Sequence, residues 1–452
     1  RLSNIPWKAT ITAFLSPRLK NSQAATAAAE FRDKILFFCV YLCYYEEKEM
    51  IPMAVKFADR MNLLKGSEIR ELMALTARPE VISFAGGMPA PELFPVENVK
   101  GACVAMLDEM GQKALQYAPT EGYIPLRQQI VERMEKRLHI KTDIDHVLVT
   151  AGSQQGLDFS ARIFLNPGDV VLMESPSYLG AVNAFKACEP NFIEVPTDDY
   201  GMIPEELERI LETTENVKMI YVIPDFQNPS GKTWSLKRRE HFMEIVNKYE
   251  IPVIEDNPYG ELRFEGEYLP SLKSMDTKDL VVFLGTFSKI LAPGLRIGWV
   301  CANEQILAKY NFVKQGADLQ ISSLDQLVAD RFLDKNDLDE HVDKIRKVYH
   351  VRRDLMLKTM EECFPKSCKW TYPEGGLFTW VVLPEGVNAK DIAPKCLEQN
   401  VAFVPGGSFF PNGGKENHFR LNYSCMPEEK IVQGIAYYNA KRYLYYRWRH
   451  NL

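Results

Sequence analysis

The chain has no CxxC pair and no regular cysteine framework, although it carries nine cysteines among 452 residues. An odd number of scattered thiols excludes a disulfide scaffold and suits a reducing compartment, so a cytoplasmic protein is expected. Cys39 and Cys43 stand close together, but no histidine or further cysteine accompanies them at zinc-ligand spacing, and no metal site is expected. Excess positive charge is missing too. With a net charge of −6 and no dominant basic stripe, nucleic acid is not expected as the principal partner. Long apolar runs are also absent: Ile35-Leu-Phe-Phe-Cys-Val-Tyr-Leu-Cys-Tyr-Tyr45 is too short to span a bilayer and runs into Glu46-Glu-Lys-Glu49. It could be a membrane-surface or signal-like segment, a partner-binding helix or, the favoured reading, sequence upstream of the true start, with no membrane expected as a partner. There is no internal repeat and no low-complexity linker, which implies domains packed tightly on one another.

What is present is a large apolar content, 46%, in a chain too long for one small domain. Residues 1–55 form an atypical extension, with Met50 or Met53 as expected starts of the protein proper. An N-terminal arm and part of a small domain follow over 56–95, then a large domain over 96–325 and a C-terminal small domain over 326–452. Ser67 caps a short helical pattern through Leu75, and helices are expected over about 96–110 and 124–138. From Val147 to Ala302, seven short apolar runs alternate with helical segments. They are Val147–Val149, Val170–Met173, Phe192–Val195, Met219–Ile223, Val253–Glu255, Leu280–Leu284 and Ile297–Cys301. Such alternation implies an α/β domain: a mostly parallel seven-stranded sheet covered by helices on both faces. Helices then fill about 303–361, and strands near 378–383, 401–404 and 419–423, with helices near 389–399 and 427–446, give a smaller α+β domain.

Open parallel sheets bind ligands beyond the carboxyl ends of their strands, so the residues following each run carry the chemistry. After Leu280–Leu284 comes Thr286-Phe-Ser-Lys289, with Arg296 beyond a Pro-Gly corner. A desolvated lysine becomes a nucleophile toward aldehydes, whereas arginine keeps its charge and grips phosphate with a planar fork. Together with the hydroxyls of Thr286 and Ser288 they describe a seat for pyridoxal 5′-phosphate (PLP), the alternative being a surface lysine and a paired arginine. Gly152-Ser-Gln-Gln-Gly156 opens a helix and could cradle an anion through Ser153 and Gln154. Tyr178 could stack on a flat heteroaromatic ring or simply pack. Asn228, in Gln227-Asn-Pro-Ser-Gly231, could donate to a phenolate oxygen or only shape a turn. Val253-Ile-Glu-Asp-Asn-Pro-Tyr259 ends an apolar strand in two carboxylates, and an unpaired buried charge costs several kcal/mol unless it has a use. Asp256 opposite a pyridinium nitrogen would turn the ring into an electron sink, and Tyr259 could share the phenolate oxygen with Asn228.

This ordered set, Gly152-Ser-Gln, Tyr178, Asn228-Pro-Ser-Gly, Asp256-x-x-Tyr259, Ser288-Lys289, Arg296 and Arg420, resembles the PLP-dependent aminotransferases of fold type I, class I/II. Ser83-Phe-Ala-Gly-Gly-Met-Pro-Ala-Pro-Glu-Leu-Phe-Pro95, Gln116-Tyr-Ala-Pro-Thr-Glu-Gly-Tyr123 and Val401-Ala-Phe-Val-Pro-Gly-Gly-Ser-Phe-Phe410 are similar to the 2-aminoadipate and kynurenine aminotransferase branch. The match covers about residues 60–445. The resemblance implies that Lys289 carries PLP as a Schiff base and then moves a proton, while Asp256 faces the ring nitrogen and Asn228 and Tyr259 face O3′. Tyr178 would stack on the ring, and Ser153, Gln154, Thr286, Ser288 and Arg296 would hold the phosphate, joined by Tyr117 from the second subunit of a homodimer. Arg420 would clamp the substrate carboxylate, assisted by Asn228 and the Gly86-Gly87 backbone.

The expected reaction is ping-pong transfer of an amino group from 2-aminoadipate, glutamate, leucine-like or aromatic amino acids to a 2-oxo acid such as 2-oxoglutarate. Arg70, on the N-terminal helix, could meet a distal carboxylate or stand in solvent. A PLP lyase or decarboxylase on the same scaffold is the alternative, since fold does not fix reaction. A MocR-like regulator is disfavoured, because residues 1–60 show no basic helix-turn-helix pattern.

Overall fold

The structure is a computed structural model in which residues 55–63 and 78–437 are described. Met50, Met53, Ser67, Arg70 and the end of the last expected helix lie outside the described residues. The chain divides into Arg1–Ala58 and Asp59–Leu452, and everything below concerns the second unit.

Seven strands form the main sheet: β1 (Val147–Thr150), β2 (Val170–Glu174), β3 (Asn191–Val195), β4 (Val217–Val222), β5 (Val253–Asp256), β6 (Val281–Thr286) and β7 (Gly298–Cys301). Their order is β1-β7-β6-β5-β4-β2-β3, with β7 antiparallel to both neighbours and the remaining pairs parallel. All seven match the apolar runs of the sequence within one or two residues. Continuous apolarity is what a sheet covered on both faces requires, since alternate residues of each strand enter different cores. Val171, Met173, Met219, Tyr221, Ile254 and Val282 pack with Leu157, Phe185 and Tyr310 of the helices Ser153–Phe164, Leu179–Lys186 and Glu304–Ala317. Their neighbours Val170, Leu172, Ile220, Val222, Val253 and Val281 pack instead with Leu207, Phe242 and Leu272 of the helices Pro204–Thr213, Leu236–Tyr249 and Leu272–Met275. Local signals start several of these helices. Ser235 accepts a hydrogen bond from the Arg238 N–H, and Asn303 accepts one from the Ile306 N–H.

A second, antiparallel sheet is built from β8 (Lys369–Trp370), β9 (Phe378–Val382), β10 (Val404–Pro405) and β11 (His418–Asn422), in the order β8-β9-β11-β10. Ile82–Ser83 pairs in parallel with Val401–Ala402. The Phe84 N–H continues that pairing to the Ala402 carbonyl (2.8 Å), while the Asn422 N–H donates to the Phe84 carbonyl (2.9 Å). These bonds carry the Gly/Pro loop beginning at Ala85 across to Arg420 on β11. The helix expected over 96–110 runs to Ala114, with a non-helical backbone at Met110. No helix among the described residues is long and apolar enough to cross a membrane.

Candidate active site

A cavity of about 380 Å³ opens beyond the carboxyl ends of β2, β4, β5 and β6. Lys289, Asp256, Tyr259, Asn228, Tyr178 and Arg420 all line it, as do Ser153, Gln154, Thr286, Ser288, Arg296 and Gly87. The strand period explains how Asp256 comes to be there. Ile254 faces the core that contains Tyr221, and Asp256, two residues on, shares that face. Glu255 points the other way, where it accepts hydrogen bonds from the N–H groups of Leu272 (2.9 Å) and Lys273 (2.8 Å) and so caps the short helix Leu272–Met275.

Asp256 is 2% exposed. One of its oxygens, Oδ2, accepts a hydrogen bond from the Tyr221 hydroxyl (3.0 Å), while Oδ1 is buried without a partner. Burial pushes the carboxyl up to about 7, against the opposing pulls of the Tyr221 hydrogen bond and the nearby Lys289. Lys289 is driven the other way. Desolvation first, and then the positive charges of Arg420 and Arg296, lower its ammonium to about 8, with Asp256 opposing. Its Nζ donates to the Gly87 carbonyl at 2.8 Å.

At the other end of the cavity Gly152, with φ 75°, precedes the helix Ser153–Phe164. A Cβ on Gly152 would lie 2.5 Å from an Arg296 guanidinium nitrogen, and one on Gly298 would lie 2.6 Å from the Gly152 carbonyl carbon. The two glycines therefore let β7, the helix start and the Arg296 fork close on one point. Arg296 adopts φ 52° and donates to the Ala151 carbonyl (2.9 Å) and, more weakly, to the Pro293 carbonyl (3.4 Å), and its exposed side chain lines the cavity. Thr286 Oγ1 accepts from the Ser288 N–H (3.1 Å) and lies 3.0 Å from the Ile297 carbonyl, so it fixes the turn that carries Ser288 and Lys289.

The two turns that supply Asn228, Asp256 and Tyr259 are tied together below the cavity. Arg239 and Asp225 form a buried ion pair (2.6 Å), and Asn257 Nδ2 donates to Asp225 (3.1 Å) while its Oδ1 accepts from the Gly260 N–H (2.9 Å). This brace brings Asn228 Nδ2 within 3.3 Å of the Tyr259 hydroxyl. Arg420, buried, donates to Asn228 Oδ1 (2.7 Å) and to the Ala85 carbonyl (2.7 Å) and lies 4.2 Å over the Phe378 ring, while its Nε has no partner. Burial lowers its guanidinium to about 10, which leaves it charged at neutral pH.

Other expected residues lie apart from this wall. Tyr117 is 80% exposed and does not line the cavity of a single chain. Gly86 sits one residue behind Gly87, its carbonyl held by Asn422 Nδ2. Four residues that the motifs did not single out belong to the site or its support: Tyr221, Asn183, Phe378 and Phe409. Phe409 stood within a quoted loop without a role. The sequence signal for Tyr221 was a hydroxyl inside the otherwise apolar run Met219–Ile223.

The family model described as aminotransferase class I and II matches residues 81–437. Aromatic-amino-acid aminotransferase 1 of Thermococcus litoralis is 44% identical over 383 residues, which cover 84% of this chain and 92% of that protein. The crystal structure of Pyrococcus horikoshii kynurenine aminotransferase in complex with PMP superposes with a TM-score of 0.82 at 41% identity, covering 86% of this chain and 97% of that one. The alpha-aminoadipate aminotransferase of Thermus thermophilus, complexed with N-(5′-phosphopyridoxyl)-L-leucine, gives 0.79 at 39% identity, with 85% and 96% covered.

Proposed function

Because the chain belongs to the class I and II aminotransferases, we propose that its cavity transfers amino groups between L-amino acids and 2-oxo acids with PLP as cofactor. The residues present fit that group. Its ring nitrogen requires a buried carboxylate, and Asp256 Oδ1 is buried without a partner. An aldehyde requires an unprotonated amine, and Lys289 is lowered to about 8. A phosphate requires a helix N-terminus, hydroxyls and a cationic fork, and Ser153, Gln154, Thr286, Ser288 and Arg296 supply them on one side. When bound, the protonated pyridine ring supplies an electron sink for charge developing at the substrate Cα.

The chain's own groups do the rest. Lys289 Nζ would take the Cα proton of the bound substrate and later return it. With the group in place, Asp256 would meet the ring nitrogen, Asn228 and Tyr259 would meet the phenolate oxygen, and Tyr178 would lie against the ring; all four side chains line the cavity. Arg420 holds the α-carboxylate, its guanidinium supported over the Phe378 ring at 4.2 Å. Phe378 and Phe409 exclude water from that contact and strengthen it.

The single observation that carries this assignment is that Lys289 and Asp256 line one cavity, where burial raises the carboxyl and lowers the ammonium. Relatives named for aromatic, kynurenine and 2-aminoadipate substrates support a broad donor range. The exposed Tyr117 and Leu115 support a homodimer in which Tyr117 reaches the neighbouring site, and the scattered thiols support a cytoplasmic setting. Lys289→Ala tests the function: transamination to 2-oxoglutarate across a panel of amino donors should fall to background, with folding unchanged by circular dichroism. Substantial residual turnover would contradict the assignment.

A further inference from the structure

Tyr221 takes no part in the mechanism above, yet its hydroxyl is spent inside the site. It is fully buried on β4, with its ring edge against Phe185 at 5.6 Å between centroids. The sheet register sets Tyr221 beside Ile254 of β5, and Asp256 follows on the same face. The phenol therefore extends forward to the next carboxylate along that face and meets Oδ2 at 3.0 Å. A carboxylate free to rotate could turn either oxygen toward the cavity or share both with one donor. Engaging Oδ2 from the side pins the rotamer and leaves Oδ1 uncommitted. An O–H directed at a carboxylate also favours its ionised form.

We propose that Tyr221 is a positioning residue for Asp256: its hydroxyl fixes the carboxylate so that Oδ1 meets the ring nitrogen of the cofactor and stays ionised there. The proposal rests on the cofactor assignment of the cavity and adds a residue that acts on it only through Asp256. Removing one oxygen atom, as in Tyr221→Phe, keeps the ring packed against Phe185 and deletes only this contact. Titrating apoprotein with PLP and following quenching of intrinsic fluorescence should show affinity weakened roughly tenfold, the usual scale for a hydrogen bond to a charged group. In the Asp256→Ala background the same change should alter affinity by less than about twofold, because the hydroxyl then has no carboxylate to hold. In the loaded enzyme kcat should fall about tenfold while KM for the amino donor stays within about twofold, since Arg420 is untouched. Unchanged affinity in Tyr221→Phe, or an equal loss in both backgrounds, would overturn the positioning role while leaving the aminotransferase assignment intact. Failure of the wild-type apoprotein to take up PLP would instead overturn the assignment on which the proposal rests.

Discussion

Asp256 and Glu255 are adjacent carboxylates on one strand, both almost fully buried and both pushed up to about 7 by desolvation. Their surroundings nevertheless differ in kind. On the helix-covered face, Glu255 has both oxygens engaged by backbone N–H groups at the start of the Leu272–Met275 helix. On the cavity face, Asp256 keeps one oxygen without a partner. Burial and a displaced proton affinity do not by themselves mark a functional carboxylate; an unmet hydrogen-bonding capacity facing a cavity does.

The contrast predicts opposite phenotypes. Asp256→Ala should lower kcat/KM roughly a hundred- to a thousandfold, the scale for removing a group aimed at charge that develops in the transition state, while leaving the unfolding midpoint of the apoprotein near that of the parent. Glu255→Ala should do the reverse. Two backbone donors lose their acceptor, which costs about 2–4 kcal/mol in urea unfolding, and the fraction that remains folded should keep near-parental turnover. Equal activity losses in the two variants would break the comparison.

Acidity sharpens it further. Both groups have folded proton affinities above their ordinary values, 3.8 for Asp256 and 4.5 for Glu255, so the folded state binds more protons than the unfolded one up to about pH 7. Stability of the apoprotein from these groups is therefore fully present below about pH 4 and is lost progressively as pH rises to about 7. A cationic ring nitrogen beside Asp256 removes that group's share and leaves the share of Glu255. The gap in melting temperature between PLP-loaded and PLP-free protein should consequently widen as pH rises across this window, and a gap that narrows would contradict the account. Glu174, buried and also raised to about 7, adds equally to both forms and does not alter the difference.

Much of this was legible in the sequence because two strong signals coincided. Unbroken apolar runs at regular spacing can be buried only in a sheet covered on both faces, and the chemistry-bearing residues fall at the ends of those same runs. Lys289, Asp256 and Asn228 thus announce themselves by position as well as by type. Arg420 was visible only through resemblance, since it approaches from a different sheet and nothing local to β11 tells which cavity it enters. Tyr221 was hidden for a further reason: its use depends on the register between β4 and β5, which the sequence of either strand alone does not specify. Phe378 escaped notice similarly, since a phenylalanine in an apolar strand is indistinguishable from core until Arg420 is seen lying on its ring.

The central claim is that one amine, Lys289 Nζ, carries the cofactor opposite Asp256. Reducing the PLP-loaded protein with borohydride, digesting it and mapping the phosphopyridoxyl mass by tandem mass spectrometry tests this most directly. The account predicts a single modified peptide with the label on Lys289; labelling confined to other lysines, or no retained label, would contradict it.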